Sequence, residues 1–166
     1  MNQNGYEIER KYLIRRPAEA WLEENCQGSD IIQTYLKTDD TGRSDRVRRR
    51  EGKNGVVFTH TRKRRISDLR REEQEREISE AEYRALLQRA DPERRSIEKR
   101  RYVLAYEGKD FEIDVYPFWQ DRAVMEIELA DEAEAVKLPP EIEIIKEVTR
   151  DRRYTNAALA KAIPAD

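Results

Sequence analysis

Cysteine and histidine are almost missing from this chain of 166 residues: Cys26 and His60 are single occurrences. One cysteine rules out an internal disulfide and a thiolate zinc site. One histidine makes a histidine-based metal centre or a Ser-His-Asp triad untenable. No apolar run approaches about 18 residues, so no membrane-spanning helix is expected. The N-terminus lacks the apolar core of a signal peptide, and a soluble, cytoplasmic protein is the expectation. Glycine and proline number six each. No glycine-rich loop ends in Lys-Ser/Thr, which excludes a P-loop nucleotide site. An excess of one charge sign is lacking too. The 33 basic and 35 acidic residues leave a net charge of −2, unlike a general nucleic-acid binder, so no specific nucleic-acid partner is expected. There is no low-complexity linker and no shift of composition, so residues 1–166 read as a single domain.

Charge itself is abundant, at 41% of residues against 37% apolar, and it is ordered. Glu7, Glu9 and Lys11 are spaced by two, and in a β-strand that period sets all three on one face. The same spacing recurs as Arg46/Arg48, Glu75/Glu77, Lys99/Arg101, Glu112/Asp114 and Glu126/Glu128. Between the charges lie apolar residues of opposite parity: Phe111, Ile113 and Val115, then Met125, Ile127 and Leu129. A single strand of this kind is ordinary for a sheet with one wet face. The set is not ordinary, because the doublets are pure in sign and like charges side by side repel. They make sense if strands of opposite sign face one another, or if a polyvalent ligand and metal ions lie between them.

The elements follow from the same pattern. Strands are expected over 6–14, 31–36 and 72–78, with hairpins of 45–50 with 56–63 and of 95–107 with 109–116, and a further strand over 122–129. Thr38–Gly42 reads as a turn. Pro17 opens a helix from Ala18 to about Cys26, with Gly28 as its C-terminal stop. Ser79-Glu-Ala-Glu82 is a capping box that starts a helix running to about Ala90. A small helix is expected from Asp131, ended by Pro139-Pro140, and an Ala-rich one over 156–163. A closed antiparallel barrel unites these features: it removes sheet edges, turns the apolar faces outward under the helices and encloses a polar tunnel. Buried unpaired charges cost several kcal/mol each, so the tunnel must be wet, internally paired and partly filled by ligand.

Oxygen ligands without histidine or cysteine select Mg²⁺ or Mn²⁺. Arginine and lysine grip phosphate oxygens. Together they form the apparatus of phosphoryl transfer, in which a water activated by the metal and oriented by a carboxylate attacks the terminal phosphorus of a triphosphate.

With these residues the chain resembles the CYTH or triphosphate tunnel metalloenzyme family, whose hallmark Glu-x-Glu-x-Lys stands here as Glu7-Ile-Glu9-Arg-Lys11. The resemblance runs through Gln33-Thr-Tyr35, Arg46-Val-Arg48, Thr59–Lys63, Glu75-Arg-Glu77, Lys99-Arg-Arg101, Phe111–Asp114, Glu126-Ile-Glu128, Lys146–Thr149 and Arg153–Asn156. It implies an α+β, predominantly β fold: a closed eight-stranded antiparallel barrel with peripheral helices. It implies a small-molecule triphosphate substrate and a Mg²⁺ or Mn²⁺ cofactor; the compact length favours inorganic tripolyphosphate, with nucleoside and thiamine triphosphates as further candidates. Carried over, Glu7, Glu9, Asp114, Glu126 and Glu128 are the expected metal ligands. Lys11, Arg46, Arg48, Lys63, Lys99 and Arg101 are the expected phosphate contacts. Glu75, Glu77 and Glu112 share the tunnel as further catalytic carboxylates, beside a second metal or orienting the water.

Other residues fall outside that set. Arg64, Arg65, Arg70 and Arg71 frame a loop that either caps a tunnel mouth and steers anions or is a solvated hairpin. Arg50 reads as a rim or solvent residue and Arg49 as outward. Lys146, Arg152 and Arg153 either close over the substrate or form surface ion pairs. His60 belongs on the outward face, Trp21 and Trp119 in packing, and Tyr35 and Tyr154 in packing with a polar tip. Competing functions are a class IV-type adenylate cyclase, a non-catalytic polyphosphate-binding module and an ordinary barrel whose charges face solvent. A monomer and a homodimer are both compatible with the sequence, since no apolar stripe compels association.

Overall fold

Alternating charged and apolar residues become strand wherever the pattern is sustained. The computed structural model describes residues 6–39 and 43–165. Residues 40–42 of the expected turn lie outside the described residues. The elements are β1 (Tyr6–Arg15), α1 (Glu19–Asn25), β2 (Gln27–Tyr35), β3 (Arg43–Gly52), β4 (Gly55–Arg65), β5 (Arg70–Ile78), α2 (Glu80–Leu86), β6 (Ile97–Tyr106), β7 (Lys109–Val115), β8 (Arg122–Glu128), β9 (Ile144–Glu147) and α3 (Asn156–Leu159).

All pairings are antiparallel, in the order β5-β4-β3-β2-β6-β7-β8-β1, and β1 returns to β5. The result is a closed eight-stranded barrel, as expected. Among the described residues closure is narrow: Tyr6, Glu7 and Ile8 of β1 pair with Glu72, Arg71 and Arg70 of β5. Further along β1, Tyr12–Ile14 pairs instead with the short β9, across a register shift. This ninth strand was not expected from the sequence; at four residues it carries too little alternation to read.

The outward apolar residues form the main core. Tyr12, Ile14, Phe111, Ile113, Met125 and Ile127 are buried under α1, through Leu22, and under the 129–142 segment, through Leu129 and Ile142. Full burial of such side chains contributes roughly 1.5–3 kcal/mol each. On the opposite side α2 lays Tyr83 against Val47 and Ile78. Ser79 caps α2 as the capping box predicts, its Oγ accepting from the Glu82 amide at 3.1 Å. Among the described residues no helix is long and apolar enough to cross a membrane.

Four expectations need correction. The barrel interior is not polar throughout. Leu13, Tyr35, Ile97, Tyr116 and Val124 have inward parity or follow an inward run, and they meet Trp119, Val148, Tyr154 and Leu159 in a second buried cluster. The C-terminal residues thus pack into one end of the barrel. Gly28 does not close α1: Cys26 is its extended C-cap, and Gly28 lies in β2, where an added Cβ would come within 2.5 Å of the Arg100 guanidinium. The segment after Asp131 forms turns rather than a helix, because the Glu134 carboxylate accepts from the Ala130 amide at 2.9 Å and pairs with Lys109. Finally, α3 ends at Leu159, short of residue 163. The Ala160 carbonyl accepts from the Arg95 amide at 3.0 Å, and Pro164 disfavours helix at the residue before it.

Candidate active site

Strand parity aims the charged doublets into the barrel, where they surround a cavity of about 650 Å³. Its lining includes Glu7, Glu9, Lys11, Arg46, Arg48, Lys63, Glu75, Arg101, Glu112, Glu126 and Glu128 from the predicted set. The sequence reading missed Arg43, Ser44, Glu73 and the C-terminal Thr155–Ala158 as lining residues, and it placed Tyr35 in packing with a polar tip; all line the cavity. Arg50, Arg65, Arg71, Arg94 and Arg152 line it as well.

Three predicted residues are not on the cavity wall. Lys99 and Asp114 are buried behind it, with side chains 0% and 2% exposed, and their Nζ and Oδ2 are 2.7 Å apart. Arg101 completes the group by donating to both Asp114 oxygens, at 2.8 and 2.9 Å. These cations hold the Asp114 carboxyl well below the usual carboxylate range, against the effect of its burial. Glu77 is exposed near the end of β5, opposite Thr59.

The acidic wall is built by β1, β7 and β8. Glu9 stands opposite Glu128 and Lys11 opposite Glu126 across the β1–β8 ladder, and Glu112 stands opposite Glu126 across β7–β8. Most of these carboxylates have a cation at hand. Lys11 lies 3.1 Å from Glu126, Lys63 2.9 Å from Glu7, Arg71 2.6 Å from Glu9, and Arg101 2.6 Å from Glu112. The crowding is still felt. Burial, then Glu126, then Glu7 push the Glu9 carboxyl up to about 7. The Glu126 carboxyl moves the other way despite its burial, held low chiefly by Lys11, Arg101 and Lys99.

The basic wall is different in kind. Arg46 and Arg48 project from β3, and the Nε of each is buried with no hydrogen-bond partner among the described residues. Arg48 Nη2 donates only a long bond, 3.3 Å, to Gln33 Oε1. Burial, then the neighbouring Arg46 and Arg101 charges, push the Arg48 guanidinium down to about 9. An arginine so depressed is a site that calls for an anion. Around these, Thr61 donates to Glu75 at 2.7 Å, Gln33 donates to the Tyr35 hydroxyl at 3.1 Å, and Lys11 Nζ donates to the Tyr154 carbonyl at 3.3 Å.

His60 and Cys26 stand outside the cavity, as their sequence contexts suggest. His60 Nε2 is 2.5 Å from Asp45 Oδ1 in a buried pair on the outward face of β3 and β4. Burial pushes the Cys26 thiol up, away from a reactive thiolate.

A closed antiparallel barrel with a charged interior is the triphosphate-tunnel fold. No family model matches the sequence. Two relatives, both inorganic triphosphatases, align along nearly its whole length. The Nitrosomonas europaea protein is 31% identical over 160 residues, covering 95% of this chain and 99% of its own. The Acetivibrio thermocellus protein is 34% identical over 158 residues, covering 95% and 94%. Among solved structures, that of an inorganic triphosphatase is 30% identical with a TM-score of 0.60, covering 95% of this chain and 96% of its own. A Pyrococcus horikoshii protein, at 18% identity and a TM-score of 0.57, shares the fold. This chain belongs to the inorganic triphosphatase family.

Proposed function

We propose that the protein hydrolyses a linear inorganic triphosphate with Mg²⁺ or Mn²⁺ bound at the acidic wall. One observation carries the reading above the others: Arg46, buried, and Arg48, half-buried, face a cavity, and the buried Nε of each has no hydrogen-bond partner among the described residues, opposite carboxylates crowded enough to raise Glu9 to about 7. Anion demand and cation demand stand across one chamber. That is the requirement of a metal-phosphate complex.

The donor chemistry fits a hard divalent ion, since Glu7, Glu9, Glu126 and Glu128 offer oxygen alone. Among the described residues no three acidic, His or Cys side chains already form a cage; Lys63, Arg71 and Lys11 hold three of these carboxylates in the meantime. When bound, the ion supplies neutralisation of phosphate charge and a more acidic water. The chain's own groups do the rest. Arg46, Arg48, Lys63 and Lys11 bind phosphate oxygens from β3, β4 and β1, and Arg101 contributes from β6. Lys99 and Asp114 fix the Arg101 fork from behind. Glu75, anchored by Thr61, and Glu112, anchored by Arg101, orient the attacking water. Its oxygen bonds to the terminal phosphorus, the bond to the bridging oxygen breaks, and a carboxylate takes the proton, giving orthophosphate and pyrophosphate.

The cyclase reading needs a platform for base and ribose. Among the described residues lining the cavity Tyr35 is the only aromatic one, and the Arg94 guanidinium already lies over its ring at 5.6 Å. The geometry therefore favours inorganic substrate. A panel of tripolyphosphate, ATP, GTP, thiamine triphosphate and pyrophosphate, each with Mg²⁺ and Mn²⁺, tests it by phosphate release and cyclic AMP formation. Tripolyphosphate should be the best substrate. Cyclic AMP as the main product from ATP, or tight binding with no turnover in either metal, would overturn the proposal.

A further inference from the structure

Among the described residues the buried charged side chains line the cavity or belong to the Lys99–Asp114–Arg101 group, with one exception. Asp45 and His60 lie on the outward face of β3 and β4, where their 2.5 Å contact is enclosed. A carboxylate only accepts, so Nε2 is the ring nitrogen that carries the hydrogen. Desolvating such a pair is costly, and apolar residues of similar volume often serve stability as well or better. Neither residue touches the cavity, so neither stability nor direct contact with substrate explains the pair.

Its place in the sheet does. Arg46 and Thr61 are partners across the β3–β4 ladder. Arg46 lines the cavity, and Thr61, fully buried, donates to Glu75. Asp45 precedes Arg46 and His60 precedes Thr61, so their bond runs diagonally behind that rung, a span within reach of long side chains. Apolar patterning does little to hold the rung. Val47 is the single apolar side chain of β3, and β4 has none beyond Phe58; strands that are polar on both faces specify their pairing weakly. The hairpin turn fixes the far end, where Gly52 pairs with Gly55. At the near end Asp45 is tied in twice more. Its carbonyl accepts from the Leu36 amide at 2.8 Å, and Arg89, from the turn after α2, comes within 3.9 Å of Oδ2. We infer that His60 and Asp45 are positioning residues for the triphosphate site: their directional bond fixes the β3–β4 rung, aiming Arg46 at phosphate and setting Thr61 against Glu75. The inference rests on the triphosphatase reading and adds to it two residues outside the cavity.

Calorimetric titration of tripolyphosphate in EDTA reads the aim of Arg46 without turnover, and thermal melting reads the packing. His60→Leu leaves the Asp45 carboxylate buried without its donor and should lower the melting temperature. Asp45→Val combined with His60→Leu removes both polar groups and should bring it back to within about 4 °C of wild type. A pair that only packs would recover binding at the same time. A positioning pair would not: the double variant should stay about five- to tenfold weaker for tripolyphosphate, because apolar contact carries no direction. His60→Gln keeps an N–H donor and should bind within about twofold of wild type. In an Arg46→Gln background the double substitution should cost less than about twofold, since the group it aims is gone. Full binding by the double variant, equal losses for His60→Gln and His60→Leu, or the same loss with and without Arg46 overturns the inference. Wild type that binds tripolyphosphate but releases no phosphate with either metal sinks the triphosphatase reading alone, and the binding cycle still decides the pair. Wild type that does not bind it overturns both.

Discussion

The two walls of the cavity treat their charges differently. On the acidic side, Glu7, Glu9, Glu112 and Glu126 have Lys63, Arg71, Arg101 and Lys11 within 2.6 to 3.1 Å. Behind it, Asp114 is locked between Lys99 and Arg101. On the basic side, Arg46 is buried and Arg48 half-buried, and the Nε of each is unmatched among the described residues. The acidic wall can thus persist without metal, because lysine and arginine stand in for it. The basic wall is less fully matched: against their burial, Tyr35, Glu73 and Glu7 hold the Arg46 guanidinium above its ordinary value, whereas burial and the Arg46 and Arg101 charges push Arg48 down, which suits it to an incoming anion. The comparison teaches that burial alone does not mark a binding residue; burial without a partner, on the wall of a chamber, does.

The largest expected effect comes from breaking the paired side. Lys99→Met leaves Asp114 with Arg101 alone at a site 2% exposed. Removing one member of such a buried group costs up to about 3–5 kcal/mol; burial, which pushes the Lys99 ammonium down to about 7 against the pull of Asp114, offsets part of that, and chemical denaturation should still show a clear loss. A loss below about 1 kcal/mol would mean that the network is looser than its distances imply.

Next come the crowded carboxylates. Glu9→Gln and Glu128→Gln should each lower metal-dependent tripolyphosphate turnover by about 10²–10³-fold, the usual cost of removing a group that stabilises charge in the reaction. Turnover near wild type for both would remove the metal from the acidic wall. The same wall sets a pH dependence. Glu9 in the folded protein has a pKa of about 7, against an ordinary value of 4.5, so the folded form binds its proton more tightly. Its contribution to stability is present below pH 4.5 and is lost as pH rises through 7. Metal-free protein should therefore show a falling stability component across that window, absent in Glu9→Gln.

Much of this geometry was legible in the sequence, because a period of two needs no tertiary knowledge to place side chains on a common face. That is why Glu7, Glu9, Lys11, Arg46, Arg48, Glu126 and Glu128 line one chamber. Part of what escaped had no period. Arg94 and the C-terminal Thr155–Ala158 arrive from loops and a single helical turn. The plug formed by Leu13, Tyr35, Ile97, Tyr116 and Val124 continues the inward faces after the charges stop, and reading the charges alone hid it. Depth was hidden as well: parity puts Asp114 beside Glu112 but does not say that Lys99 and Arg101 will claim both its oxygens.

A smaller effect is expected on the unpartnered side. Arg48→Met should weaken tripolyphosphate binding about 10- to 100-fold, the value of a charge-assisted hydrogen bond or two. Stability of the ligand-free protein should hold or rise, since a buried guanidinium depressed to about 9 is unfavourable to the empty fold. A clear loss of stability would place Arg48 with Lys99, as a structural cation.

The smallest effect separates parity from position. Glu77 belongs by spacing to the same series as Glu75, and on sequence grounds both share the tunnel. In the structure both carboxylates are exposed, but Glu75 lines the cavity and accepts from Thr61, whereas Glu77 lies beyond the lining, beside Ile78 where β5 ends. A solvated carboxylate there is screened from the cavity by water and salt. Glu77→Gln should change turnover less than about twofold and stability less than about 0.5 kcal/mol, the range of ordinary surface substitutions. Glu75→Gln, one period inward, should cost clearly more in turnover. Equal losses for the two would show that the tunnel's influence extends to the end of β5, and that side-chain parity reports function more faithfully than contact with the chamber does.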